Sequence, residues 1–146
     1  MIRRLTEKDR DIYLEMAEEF YHSDAVLHPV PRSYMEATVD EALASDRYTK
    51  IYLIESEGVC AGYGVTARTF SQEVGGFVTW IEELYIREAF RSKGLGREFF
   101  SYIEEDGKGD TARLRLEVEA DNTRAVALYE RLGFHVLEYV QMVKDR

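Results

Sequence analysis

Arg91-Ser92-Lys93-Gly94-Leu95-Gly96 stands between an apolar strand-like run, Trp80-Ile81-Glu82-Glu83-Leu84-Tyr85-Ile86, and an amphipathic helical pattern that begins near Gly94. Two glycines separated by one residue permit a tight turn and let a ligand approach the backbone without meeting a Cβ. The first amides of the helix have no intrahelical acceptor, and with the positive end of the helix dipole they favour an anion. Arg91, Lys93 and Arg97 gather positive charge around the same loop. The pattern predicts a pyrophosphate cradle. A Walker loop is excluded, because no Gly-Lys-Ser/Thr is present. A dinucleotide fingerprint is excluded as well, because Phe99 stands where its third glycine would be.

Working outward from this loop, the periodicities give an alternation of helices and strands. Ile2 to Leu5 reads as a first strand. Thr6 can cap a helix whose apolar face is Ile12, Met16 and Phe20, and which ends near Tyr21. His22 to Pro31 is a loop carrying both prolines. Ser33 and Glu36 form a capping-box pattern before a helix with Met35, Val39 and Leu43 on its face. Three strands follow at Lys50–Ile54, Val59–Phe70 and Phe77–Ile86, joined by short glycine-containing turns that imply antiparallel hairpins. Leu95, Phe99, Tyr102 and Ile103 mark a helix. Arg113 to Glu119 alternates as a strand, Asn122 to Leu132 is helical, and His135 to Val143 is expected to be a last strand. A strand meander followed by strand–helix–strand defines an α+β architecture with a mixed, mostly antiparallel sheet flanked by helices.

At 146 residues the chain, residues 1–146, reads as a single domain able to bury one sizeable core. Its 45% hydrophobic and 12% aromatic content fits a folded protein rather than a disordered one. A net charge of −9, from 19 basic and 28 acidic residues, argues against non-specific nucleic-acid binding, which needs positive charge. It suits attraction of cationic amines. Cys60 is the only cysteine, so no intrachain disulfide forms, and its place inside a strand suggests a small buried thiol. The start, Met1-Ile2-Arg3-Arg4-Leu5, has no apolar secretory core, and no apolar run is long enough to span a membrane. A cytoplasmic location is expected, with neither nucleic acid nor membrane as a partner and no metal.

Arg91-x-x-Gly94-x-Gly96, preceded by Glu82-Glu83-Leu84-Tyr85-Ile86, resembles the acyl-CoA-binding motif of the GNAT superfamily of N-acetyltransferases. Asn122-Thr123-Arg124-Ala125-Val126-Ala127-Leu128-Tyr129-Glu130-Arg131-Leu132-Gly133-Phe134 is similar to that family's Asn-x-x-Ala-x-x-x-Tyr-x-x-x-Gly-Phe segment. The two motifs in this order are more specific than either alone. The resemblance implies a GNAT-like sheet with splayed central strands and acetyl-CoA as cosubstrate. It implies transfer of the acetyl group to a primary amine of a small molecule or peptide by direct attack. Backbone groups of Leu84, Tyr85 and Ile86 would pair with the pantetheine arm as an added strand does. Amides of Ser92, Lys93, Gly94, Leu95, Gly96 and Arg97, with Arg91 beside them, would hold the pyrophosphate. Asn122 would either cap its helix or touch the cofactor. A homodimer is compatible with the family. The rival class is a non-catalytic acyl-CoA-binding sensor or interaction module.

A primary alkylamine has a pKa near ~10 and arrives protonated at neutral pH, so the site needs a proton acceptor. Glu82 stands nine residues before the motif arginine, where resembling members carry the base. Strict alternation puts it on a face with Trp80, Leu84 and Ile86, where desolvation would raise its pKa. Glu83 points to the other face and is the alternative base. Tyr129, the tyrosine of the second motif, is the expected acid that protonates the thiolate leaving group. The resemblance puts acceptor contacts at the His22–Pro31 loop.

Overall fold

Glycine turns join the middle strand runs of this chain, and helical segments join the first and last runs to them. The computed structural model describes residues 1–146. The elements are β1 (Ile2–Arg4), α1 (Arg10–Tyr21), α2 (Arg32–Ala44), β2 (Thr49–Ser56), β3 (Val59–Ser71), β4 (Gly76–Ile86), α3 (Leu95–Asp106), β5 (Thr111–Leu116) and α4 (Thr123–Arg131). Short turns of 3-10 helix occupy Glu7–Asp9 and Glu88–Phe90. The strands form one sheet in the order β1-β2-β3-β4-β5. The first three pairings are antiparallel, whereas β4 and β5, joined through α3, are parallel. The chain falls into two compact units, Met1–Leu116 and Glu117–Arg146.

In the first unit the sheet is covered on both faces. Alternation along β3 sends Tyr63 and Val65 one way and Gly62, Gly64 and Thr66 the other. On one face Tyr63 and Val65 pack with Ile51 and Leu53 of β2 against Tyr13, Met16 and Ala17 of α1 and Met35 and Val39 of α2. On the other face Phe99 of α3 lies edge-on to Tyr52, with ring centroids 6.0 Å apart. A Cβ on Gly64 would strike the Phe99 ring, so the glycine brings α3 onto the sheet. Arg3 ties β1 to the turn before α1 through two bonds to Asp9, at 2.8 and 2.9 Å. The pair of residues that forms the capping box at this end is Thr6 and Asp9.

Two boundaries differ from the sequence expectation. α2 starts at Arg32 behind Pro31, which has φ −60°, so Ser33 lies within the first turn and does not cap it. The proline's fixed φ sets the helix entry two residues earlier than the capping-box pattern implies. β5 covers Thr111–Leu116, so Glu117 and Glu119 lie outside the strand.

In the second unit Asn122 caps α4, its side chain accepting from the Ala125 amide at 3.2 Å. The other end closes with the Phe134 amide on the Tyr129 carbonyl and the Gly133 amide on the Glu130 carbonyl, both at 3.0 Å. Gly133 has φ +96°, which a side chain would strain. This is a Schellman closure, and the Tyr129 and Phe134 rings meet edge-on at 6.1 Å as such ends commonly do. The expected strand at His135–Val143 is not formed: residues 135–146 belong to no helix or strand. The sheet ends at β5, and Val136, Val140 and Val143 are exposed. Strand-forming side chains make a strand only where a ladder partner is present.

Candidate active site

β4 carries both candidate base carboxylates, and a bulge in it decides which of them is desolvated. Val65 pairs with Glu83 while the next residue, Thr66, pairs with Ile81, leaving Glu82 as the extra residue. Such an insertion breaks the two-residue alternation of a strand. Residues paired across an antiparallel ladder share a face. Ile81 therefore goes with Thr66 towards α3, and Glu83 goes with Val65 and Tyr63 towards α1. The expected common face for Trp80, Glu82 and Leu84 is corrected accordingly. Glu82 is exposed, so the desolvation anticipated for it falls on Glu83 instead.

Glu83 accepts hydrogen bonds from Tyr21 on one oxygen and from Tyr63 at 2.8 Å on the other. Tyr21 is the last residue of α1, and Tyr63 is fully buried in β3. Burial pushes the Glu83 carboxyl up from the ordinary glutamate range, and the two phenol donors oppose this. Tyr21 is pushed up too, by burial first and then by its bond to Glu83 and the charges of Glu83 and Glu82. Glu82 is thus close enough for its charge to act on Tyr21. Around this cluster Tyr85 donates to Glu19 at 3.0 Å, and Arg87 binds Glu19 at 2.8 Å and Glu15 at 3.0 Å. Sequence reasoning missed Tyr21 and Tyr63. Nothing local marks them, since each meets Glu83 only through helix-on-sheet or cross-strand packing.

The parallel ladder ends at Ile81↔Leu116, while β4 continues to Ile86. Along Glu82–Ile86 the strand remains paired to β3 but has lost β5. Leu84, Tyr85 and Ile86 therefore present one backbone edge without a ladder. The Arg91 Nε donates to the Ile86 carbonyl at 2.9 Å.

This open edge leads to the start of α3. Gly94 is the N-cap residue, in the left-handed region with φ +79°, and Ser92 also has positive φ, +63°. The first intrahelical bond is Glu98 amide to Gly94 carbonyl, at 3.0 Å, so the amides of Leu95, Gly96 and Arg97 have no intrahelical acceptor. No side chain caps them. Ser92, Lys93 and Arg97 are exposed, and Lys93 lies 5.4 Å from the Phe90 ring centroid. A Cβ at Gly96 would touch only Leu84 Cδ2, at 3.8 Å. The protein's own packing therefore does not require glycine there, whereas an anion seated on the amides would.

In the second unit Tyr129 is half-buried in α4, and burial pushes its phenol up, keeping it protonated at neutral pH. Asn122 serves as the helix cap. Cys60 is half-buried with its thiol pushed up chiefly by burial, which suits a packing role. A cavity of about 90 Å³ lined by Tyr48, Lys50, Tyr52, Arg68, Asp106 and Asp110 lies at the opposite end of α3 and contains none of the expected site residues. No cluster of three or more His, Cys, Asp or Glu could hold a metal ion. No helix is long and apolar enough to cross a membrane.

The model of the Acetyltransferase (GNAT) family matches residues 10–134, and the chain belongs to that family. The ribosomal protein bS18-alanine N-acetyltransferase of Escherichia coli strain K12 is 28% identical over 116 residues, covering 79% of this chain and 72% of that protein. Mycothiol acetyltransferase of Corynebacterium efficiens is 44% identical over 62 residues, covering 40% of this chain and 21% of that protein, so this match spans about a fifth of the relative. The structure of AAC(6')-Iy in complex with the bisubstrate analog CoA-S-monomethyl-acetylneamine superposes with a TM-score of 0.80 at 16% identity, covering 100% of this chain and 97% of that one. Enzymes of the GNAT family use acetyl-CoA as cosubstrate.

Proposed function

We propose that this chain transfers the acetyl group of acetyl-CoA to a primary amine of a small molecule or peptide, by direct attack of the amine on the thioester. The observation that carries this reading is the open edge of β4 at Leu84–Ile86 running to the uncapped amides of Leu95, Gly96 and Arg97. The amides of Ser92 to Arg97 and the side chains of Arg91, Lys93 and Arg97 hold the pyrophosphate, and the backbone of Leu84, Tyr85 and Ile86 takes the amide-rich arm as an added strand. Acetyl-CoA supplies an activated acyl group, so the protein's task is to orient the amine and move protons. A carboxylate of the Glu82–Glu83 pair takes the ammonium proton. Tyr129 keeps its motif-based role as the acid for the thiolate; its burial-protonated phenol supports that. Asn122 is spent on capping, which makes it the weakest member of the expected cofactor set. The alanine N-acetyltransferase relative supports an amine acceptor.

Two measurements test this. Titration calorimetry with coenzyme A detects binding that is lost in the double variant Arg91→Glu, Arg97→Glu. A thiol-release assay with acetyl-CoA shows turnover that depends on an added primary amine and drops in Tyr129→Phe. Tight binding without turnover against a broad amine panel would turn the chain into a CoA-binding module; absence of binding would remove the reading altogether.

A further inference from the structure

We propose that Tyr21 and Glu83 form a proton relay that draws the acceptor's ammonium proton into the core of the first unit, with Tyr63 fixing the far oxygen of the carboxylate. The proposal rests on the amine-acetyltransferase reading and names the groups that free the nucleophile. Tyr21 ends α1 immediately before the His22–Pro31 loop and is half-buried, whereas Tyr63 is wholly enclosed. Of the two donors on Glu83, Tyr21 is therefore the one with a side towards solvent. A phenol has one proton to donate and lone pairs to accept with. Tyr21 spends its proton on Glu83, which leaves its oxygen an acceptor for an incoming N–H.

The step balances without a co-reactant. The ammonium N–H bond breaks as its proton adds to the Tyr21 Oη. The original Tyr21 O–H bond breaks as that proton adds to Glu83 Oε1. The nitrogen keeps its electron pair as a free-base nucleophile, Tyr21 ends as it began, and Glu83 becomes a neutral carboxylic acid. Placing a proton there removes a charge from the interior, which burial favours. The groups facing Glu83 do not undo this. From α1 come Tyr13 and Tyr21, and from β3 comes Tyr63. Tyr85 on β4 and Arg87 just beyond it are engaged by Glu19, and Arg87 also by Glu15, so the guanidinium is held by other acids. Glu82 is exposed and its charge reaches Tyr21, which draws an ammonium towards the mouth of the relay. The two adjacent glutamates thus divide the work: one attracts the cation and the other accepts its proton.

The relay is tested first without an acceptor. Infrared pH titration of the purified protein should show a protonated-carboxyl band that persists above the pH at which exposed glutamates ionise. It should vanish in Glu83→Gln and move to higher pH in Tyr21→Phe, which loses a donor to the carboxylate. The kinetic test compares propylamine, an ammonium at neutral pH, with aminoacetonitrile, which is the free base there. Tyr21→Phe should lower kcat for propylamine at least about tenfold, as loss of general-base help does, with KM for acetyl-CoA unchanged. It should leave aminoacetonitrile turnover largely intact, whereas a merely structural role would lower both alike. The variant removes one hydroxyl from a half-buried ring, and its melting temperature checks the fold. A carboxyl band unaltered in both variants, or equal losses with the two amines, overturns the relay. Full activity of Tyr21→Phe beside an inactive Glu82→Gln also overturns it while leaving amine acetylation standing. Failure of the wild type to release thiol with any amine removes the acetyltransferase reading itself.

Discussion

Asp9 accepts from two nitrogens of Arg3 and from both the amide and the hydroxyl of Thr6, each of the latter at 2.8 Å. The Arg3 guanidinium is the main cause that holds this carboxyl far below the usual aspartate range. Glu83 has phenols for donors and no cation among its partners, so burial prevails and its acidity moves the opposite way. The signs of the resulting pH dependences differ. Asp9 contributes stability that is present above the ordinary aspartate range and is lost as acid protonates it. Glu83 binds its proton more tightly folded than unfolded, so stability falls as pH rises from the ordinary glutamate range through the raised folded value. Glu83→Gln should therefore gain stability relative to wild type as pH climbs through that window. Asp9→Asn should lose about 2 kcal/mol near neutral pH, the scale of hydrogen bonds to a charged group, and less in acid. Urea unfolding at a series of pH values measures both. Parallel curves for wild type and Glu83→Gln would contradict the burial argument.

At the scale of elements, legibility followed how local the cause was. The glycine turn into α3 was legible because glycine spacing and helical periodicity sit within one short stretch, Arg91 to Ile103. The Tyr129–Gly133–Phe134 spacing was seen in the sequence, and its structural content is the Schellman closure of α4. The bulge at Glu82 was not legible, since it belongs to the pairing of β4 with β3 and not to either strand alone. Tyr21 and Glu83 are 62 residues apart, and no periodicity links them. The expected strand at 135–143 failed for the same reason: its side chains suit a strand, but the partner is not encoded within the segment. Two glycines make the distinction testable. A Cβ on Gly62 would meet the Tyr85 carbonyl oxygen, and the Ile86 Cα at 3.1 Å, backbone that cannot give way without moving β4. Gly62→Ala should cost about 1–3 kcal/mol, as other overpacked sites do. Gly96→Ala meets only Leu84 Cδ2, so it should keep or raise stability by up to about 1 kcal/mol, as alanine replaces glycine in a helix. It should nevertheless weaken coenzyme A binding, because the methyl fills the approach to the amides. Thermal unfolding with and without coenzyme A separates the two effects. Unchanged affinity in Gly96→Ala would contradict the cradle.

For the whole molecule the dominant quantity is charge. With 19 basic and 28 acidic residues, the long-range field of a chain of net charge −9 repels an anionic cosubstrate and attracts an ammonium acceptor. Only short-range contacts can reverse that sign, and on the proposed reading Arg91, Lys93 and Arg97 at the start of α3 supply them. Exposed charges are screened over roughly 10 Å at 0.1 M salt, so the steering of a cation is sensitive to salt, while a pyrophosphate held on backbone amides depends on contact. For propylamine, kcat/KM should therefore fall as sodium chloride is raised from low to physiological ionic strength. For aminoacetonitrile, uncharged at neutral pH, it should stay nearly level. Glu82→Gln should flatten the propylamine slope, since its exposed charge stands at the mouth of the Tyr21–Glu83 pair. Identical slopes for the two amines would show that the acidic surface plays no part in bringing the acceptor in.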